Sequence, residues 1–360
     1  MIVQMNRLPR GAAALARGPG AAIPLAIALF VGAVLSEPAP TLADELNVYS
    51  ARHYQSDDAL YARFTELTGI TVNRIEDKED PLLERILAEG ANSPADVLVT
   101  VDAGRLWRAD KAGILGSVAS PVLAERIPAH LRHPEGRWFG FSTRARVIFY
   151  AKDRVDPARI DAYADLADPM WKGKVCIRSS GSVYNLSLLG AIIAHEGDAA
   201  AEAWAAGVVA NMARPPEGGD TDQLKAVAAG ECDIAVANTY YYVRLLRSED
   251  PAEREIAAKL GLVWPNQATT GTHVNVSGAG MVKTAPHPEA AVAFLEFLAS
   301  DEAQHLFSSA NNEFPAVASV PLDNPALESL GTFKADDLYV ATLAEAQPAA
   351  QMIFDRVGWK

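Results

Sequence analysis

Short apolar runs, each followed by a stretch with helical spacing, alternate along most of this chain. Residues 46–50, 70–75 and 95–100 read as strands rich in Val, Ile and Leu. Behind the first run, Ser56 is placed as an N-cap, Asp57 and Asp58 fill a first helical turn, Leu60, Phe64 and Leu67 recur on one face, and Gly69 supplies the stop. Residues 81–90 read as a second helix, and 102–113 as a loop and helix in which Trp107 packs. Strand alternating with helix predicts an α/β fold with a parallel sheet. A long extended run ending at 146–150 is placed as a crossing strand into a second lobe, which has strands at 175–177 and 234–236. The chain is expected to cross back at 272–276 before a helix at 288–299, so that the two crossing strands form a hinge. A chain of this length exceeds what one core usually covers, which agrees with two lobes.

The first 43 residues read as an export signal. Arg7, Arg10 and Arg17 precede an apolar stretch over residues 21–35 that is short for a membrane span, and a Pro-rich spacer leads to Ala43. Cleavage is expected after Ala43, with Ser36 the alternative site and an uncleaved anchor the alternative fate. No later segment is apolar and long enough to insert in a membrane. The net charge of −13 becomes more negative when the signal leaves with its three arginines and Glu37. That sign argues against nucleic acid and anionic lipid as partners and suits a protein that handles cations. An exported chain meets oxidants, so two cysteines in apolar runs of one lobe, Cys176 and Cys232, predict one disulfide. Neither has a second Cys or a His at zinc-ligand spacing.

Tyr240, Tyr241 and Tyr242 stand where the run 232–237 empties into a loop. Tyr54, preceded by His53, and Tyr184 occupy the same topological place after two other strands, the carboxyl end where open α/β sheets bind ligands. Each tyrosine alone is more simply a packing residue; three such positions together point to a shared ligand. A phenol ordinarily titrates near pH ~10, and only a strongly acidic cation such as Fe³⁺ holds its phenolate form at neutral pH. Tyr54 also precedes a helix N-terminus, which favours a phenolate. The rival is an aromatic cage for a quaternary ammonium, although cages favour tryptophan and these loops have none.

With these tyrosines go residues 49–54 (Tyr-Ser-Ala-Arg-His-Tyr), 93–97 (Ser-Pro-Ala-Asp-Val), 165–174 (ending Trp-Lys-Gly-Lys), 238–242 (Asn-Thr-Tyr-Tyr-Tyr) and 277–280 (Ser-Gly-Ala-Gly). In these the chain resembles the periplasmic ferric-ion-binding proteins of ABC importers, within them the tyrosine-rich Fut-type class. The resemblance covers essentially the whole mature chain. It implies a type II two-lobe periplasmic binding protein fold with the ligand cleft between lobes: lobe 1 from 44–143 plus about 272–318, lobe 2 from 144–271 plus about 319–360. It implies Tyr54, Tyr184, Tyr240 and Tyr241 as iron ligands and Tyr242 as a non-ligand turned away along a helix. His53 matches a histidine that coordinates iron in some relatives and otherwise partners Tyr54. No acidic ligand from lobe 1 stands where some relatives use one. The resemblance further implies a monomer that delivers Fe³⁺, with Fe²⁺ also admissible, to an inner-membrane permease.

Four phenolates around Fe³⁺ leave one net negative charge, which is costly in a half-closed cleft without a nearby cation. Arg144 and Arg244 are the expected compensating charges, with Arg146 a further candidate; each has an ordinary surface or structural ion pair as its alternative. No nucleophile-base arrangement, phosphate loop or Gly-x-Ser-x-Gly elbow is present, so turnover is not expected. Two rival functions remain: the same fold clamping an organic or anionic solute through Arg144 and Arg244, and an exported iron-dependent enzyme.

Overall fold

The computed structural model describes residues 45–52 and 57–360; the expected signal segment, the Ser56 cap, His53 and Tyr54 lie outside the described residues. Among the described residues nine strands form one curled sheet: β1 (Glu45–Ser50), β2 (Thr71–Glu76), β3 (Val97–Val101), β4 (Phe139–Ala151), β5 (Val175–Cys176), β6 (Ile234–Asn238), β7 (Leu260–Val263), β8 (Val274–Met281) and β9 (Phe314–Pro315). The order is β2-β1-β3-β8-β4-β6-β5, with β7 and β9 also pairing to β4.

The helix-linked strands pair in parallel as expected, and the crossing strands add antiparallel pairs, so the sheet is mixed. β1 runs parallel to β2 and β3, and β5 parallel to β6. β3–β8, β4–β8, β4–β6 and β4–β7 are antiparallel. The cause is the double crossing: β4 carries the chain out of the first core and β8 brings it back, so the two must oppose. β4 spans both regions, since its residues up to Ala145 pair with β8 and those from Arg146 onward pair with β6.

Apolar side chains gather around the two halves of β4. In the first core Leu46, Val48, Val97 and Leu98 of the sheet meet Phe64, Leu106, Phe294 and Leu295 from flanking helices. Around the second half of β4 the period of two sorts residues to opposite faces. Ile148, Ile234 and Val236 pack with Leu188, Leu189, Trp204 and Phe354 on one face. Val147, Phe149, Ala235 and Ala237 pack with Leu224, Val227 and Leu245 on the other. The second face holds a disulfide between Cys176 and Cys232, with Cα atoms 5.9 Å apart, as export and the even count predict. Among the described residues no helix is long and apolar enough to cross a membrane.

Candidate metal centre

β5 and β6 are parallel neighbours, so their carboxyl ends emerge on one edge of the sheet. Beyond β5 the chain turns through 179–182 into the helix Val183–Glu196, whose first turn carries Tyr184. β6 passes directly into the helix Thr239–Leu246, whose first turn carries Tyr240 and Tyr241. The hydroxyls of Tyr184 and Tyr240 lie 3.1 Å apart, and the rings of Tyr240 and Tyr241 lie side by side with centroids 4.2 Å apart. Tyr184 and the adjacent pair Tyr240 and Tyr241, 56 residues further on, thus converge.

Tyr242 diverges from them. Helical rotation turns it into the core, where its ring packs on Phe149 and its hydroxyl donates to the carbonyl of Ala257 at 3.2 Å. Burial, with a lesser contribution from Tyr150, raises its pKa, so it is a poor source of phenolate.

Guanidinium groups surround the converging rings. Arg144 lies 5.9 Å and Arg244 5.7 Å from the Tyr240 ring centroid, and Arg244 also lies 5.6 Å from that of Tyr241. Arg146 and Arg178 stand 5.8 and 5.2 Å from the Tyr184 ring. The two arginines singled out from sequence are therefore beside the tyrosines, and Arg178, which sequence reasoning missed, joins them. Its only sequence signal is its position directly behind a strand end.

Two buried ion networks hold these groups. Arg144 donates to Glu313 at 2.8 Å and to the Ser277 hydroxyl, while Glu313 also accepts from Ser142 at 2.7 Å and from Arg52 at 3.1 Å. Burial would raise the Glu313 pKa, but Arg52, Arg144 and the hydrogen bonds outweigh it and hold it down at about 2. Arg52 also forks onto Asp57 at 2.8 and 3.1 Å, so the residues bracketing 53–56 are paired to each other. In the second network Arg146 reaches Asp220 at 3.1 Å, Asn238 at 3.0 Å and Asn185 at 2.7 Å.

Tyr184 and Tyr241 face a cleft of about 360 Å³ whose opposite wall is Arg52, Lys78, Glu79, Asp80 and Arg105. Glu79 is pushed up to about 7 by burial, against Arg105 and Arg108, and its carboxylate is paired with Arg105 at 2.5 Å. Among the described residues no three His, Cys, Asp or Glu side chains are grouped to hold a metal.

Residues 92–337 match the family model described as bacterial extracellular solute-binding protein. Iron uptake protein A2 of Synechocystis is 50% identical over 93% of this chain and 96% of its own length. Iron uptake protein A1 of the same organism is 52% identical over 89% of each chain. A Trichodesmium FutA (IdiA), solved in complex with iron and citrate, superposes with a TM-score of 0.85 at 54% identity, covering 88% of this chain and all of that one.

Proposed function

This chain belongs to the bacterial extracellular solute-binding proteins, and from that premise we propose that it captures ferric iron and hands it to an inner-membrane ABC permease. Family membership makes it a binding protein of a transport system, with a two-lobe type II fold, rather than an enzyme. The ligands we assign are the phenolate oxygens of Tyr54, Tyr184, Tyr240 and Tyr241, with His53 either a further ligand or the hydrogen-bond partner of Tyr54. Arg144 and Arg244 offset the negative charge that four phenolates leave on Fe³⁺.

The observation that carries this reading is the convergence of Tyr184, Tyr240 and Tyr241 from two strand ends, ringed by guanidinium groups. Guanidinium groups at this range make cation–π contacts with the neutral rings and would also offset the charge of phenolates. The named relatives, which are iron uptake proteins, support the choice of cation. Tyr54 would reach the metal from the first lobe, so that all four oxygens meet only when the cleft closes and closure follows from differential binding. We place the signal at 1–43, the first lobe at 44–143 with about 272–318, and the second at 144–271 with about 319–360. Leu330 and Phe333 pack against Trp264 beside the second core, whereas Val340, Ala341 and Leu343 pack in the first.

Iron-loaded protein should show a visible phenolate-to-iron band. Tyr240→Phe or Tyr241→Phe should weaken binding by more than about 100-fold, above the effect usual for losing a group behind a ligand. Tyr242→Phe should leave band and affinity in place and cost about 1 kcal/mol of stability for its lost hydrogen bond. Equal effects from all three would refute the ligand set. Because each phenol must shed its proton to bind, loading should release protons and acid should discharge the metal. Colour that persists in strong acid would favour a solute clamped by Arg144 and Arg244 instead.

A further inference from the structure

We propose that Arg146 sets the relative position of the phenols: one guanidinium ties the Tyr184 element to the Tyr240–Tyr241 element. The proposal rests on the reading of those tyrosines as iron ligands.

The Cys176–Cys232 disulfide joins the strands behind the two elements, and the backbone pairing between those strands is short. The β5–β6 ladder is two residues long, pairing Val175 with Ile234 and Cys176 with Ala235, and it ends well before Tyr184. Yet the hydroxyls of Tyr184 and Tyr240 meet at 3.1 Å. Arg146 stands opposite Asn238 in the β4–β6 ladder, at the end of β6 nearest the tyrosines. Its Nη1 donates to Asn238 Oδ1 at 3.0 Å, and Asn238 is the residue before the helix that carries Tyr240 and Tyr241. Its Nη2 donates to Asn185 Oδ1 at 2.7 Å, and Asn185 directly follows Tyr184. The Asn185 amide then donates to the carbonyls of Arg178 and Ser179 at 2.7 and 3.1 Å, fixing the turn that leads to Tyr184. Asp220 balances the charge, accepting from Arg146 at 3.1 Å and from the Asn238 backbone N–H at 2.8 Å.

Arg146, Asp220, Asn185 and Asn238 are each at most 2% exposed. A buried ion pair of this kind gives little stability that apolar packing could not supply. What apolar groups cannot supply is a planar fork with two donors aimed at two amides. Lysine would keep the charge and lose the fork.

The test uses the mature chain with ferric iron supplied as a weak chelate. Wild type should load with a visible band. Arg146→Lys should keep the far-ultraviolet dichroism of the fold, bind iron 10–100-fold more weakly, roughly the range for lost ligand support, and shift the band. Its iron-free form should also differ from wild type in the near-ultraviolet dichroism of tyrosine. Unchanged affinity, band and near-ultraviolet signal would show that Arg146 acts by charge alone and would overturn the proposal. If Arg146→Lys fails to fold, Asn185→Ala and Asn238→Ala decide: each should move the band, and weaker binding with the band unmoved in both would overturn it. Wild type that loads without colour would instead refute the tyrosinate reading, and the near-ultraviolet comparison of iron-free proteins would still report on Arg146.

Discussion

Glu313 and His273 are buried titratable residues with opposite ionisation states, and both make the fold acid-labile. Arg52 and Arg144 flank Glu313, and with Ser142 they hold its pKa at about 2 although burial alone would raise it. The folded value lies below the unfolded one, so the carboxylate stabilises the protein above about pH 4.5, and this is lost as pH falls toward 2, by about 3 kcal/mol. His273 is buried on the returning chain, and burial, then Arg146 and His195, lower its pKa to about 3. Its neutral form is the one the fold accepts, so stability falls from about pH 6.5 downward as the unfolded chain takes up the proton first. Between pH 7 and about 4.5 the proton taken up by Glu79, raised to about 7 by burial, offsets the loss from His273, so iron-free protein should lose stability most steeply below about pH 4.5, where Glu313 and His273 act together. Glu313→Gln should be less stable than wild type at pH 7 and converge toward it near pH 2, as read by urea titration at fixed pH. A constant difference across that range would show that Glu313 acts through packing and not through its charge.

At the scale of elements, the second core depends on a short strand pinned by a covalent bond. β5 has two residues, and one of them is Cys176, bonded to Cys232 just ahead of β6 across a separation of 56 residues. In the chain-entropy account a loop of that length stabilises by about 4 kcal/mol. Replacing both cysteines with serine should lower the unfolding free energy by about that amount. The iron band should remain, because the tyrosines sit on the helices beyond the strand ends; loss of colour in still-folded protein would show that the bridge also registers the site. The elements legible in the sequence were those with a clean local period: β1, β2, β3, β6 and the helix Pro288–Leu298 all fall within a few residues of their expected positions. β7 and β9 were not legible, because each is short and is defined by pairing with β4 and not by its own pattern. The site divides the same way. Tyrosines at strand ends are visible locally, whereas Glu313 beside Arg52, at a separation of 261 residues, becomes a neighbour only through the curled sheet. Asn185 and Asn238 adjoin tyrosines in sequence, but nothing short of the fold shows that one arginine reaches both.

For the whole molecule, the question is what joins the two cores if, as proposed, the cleft between them closes on iron. Asp102, at the end of β3 in the first core, has φ of 79°, a strained value for a residue with a Cβ. Its carboxylate caps the helix Ala103–Lys111 by accepting from the Gly104 N–H at 2.8 Å. It also accepts from Asn275 on β8 at 2.9 Å and from Ser187 at 2.8 and 3.0 Å. Ser187 lies three residues after Tyr184 on the same helix, whose Leu188 and Leu189 belong to the second core. Gln347, at the start of the last helix, donates to the Ser187 hydroxyl at 3.1 Å, and it occupies the space that a Cβ on Gly104 would need. A strained acid of one core is thus fastened to the helix that presents Tyr184 from the other. A hydrogen bond to a charged group contributes about 1.5–3 kcal/mol, so if this contact belongs to the closed arrangement alone, Ser187→Ala should weaken iron binding by about tenfold or more. The loaded variant should keep the wild-type band, since no ligand moves once the cleft is shut. Small-angle scattering of the iron-free variant should show a larger radius of gyration than wild type. An unchanged affinity together with unchanged scattering would mean that Asp102 and Ser187 stay joined in both arrangements, which would make them the pivot about which the lobes turn and not the catch that holds them together.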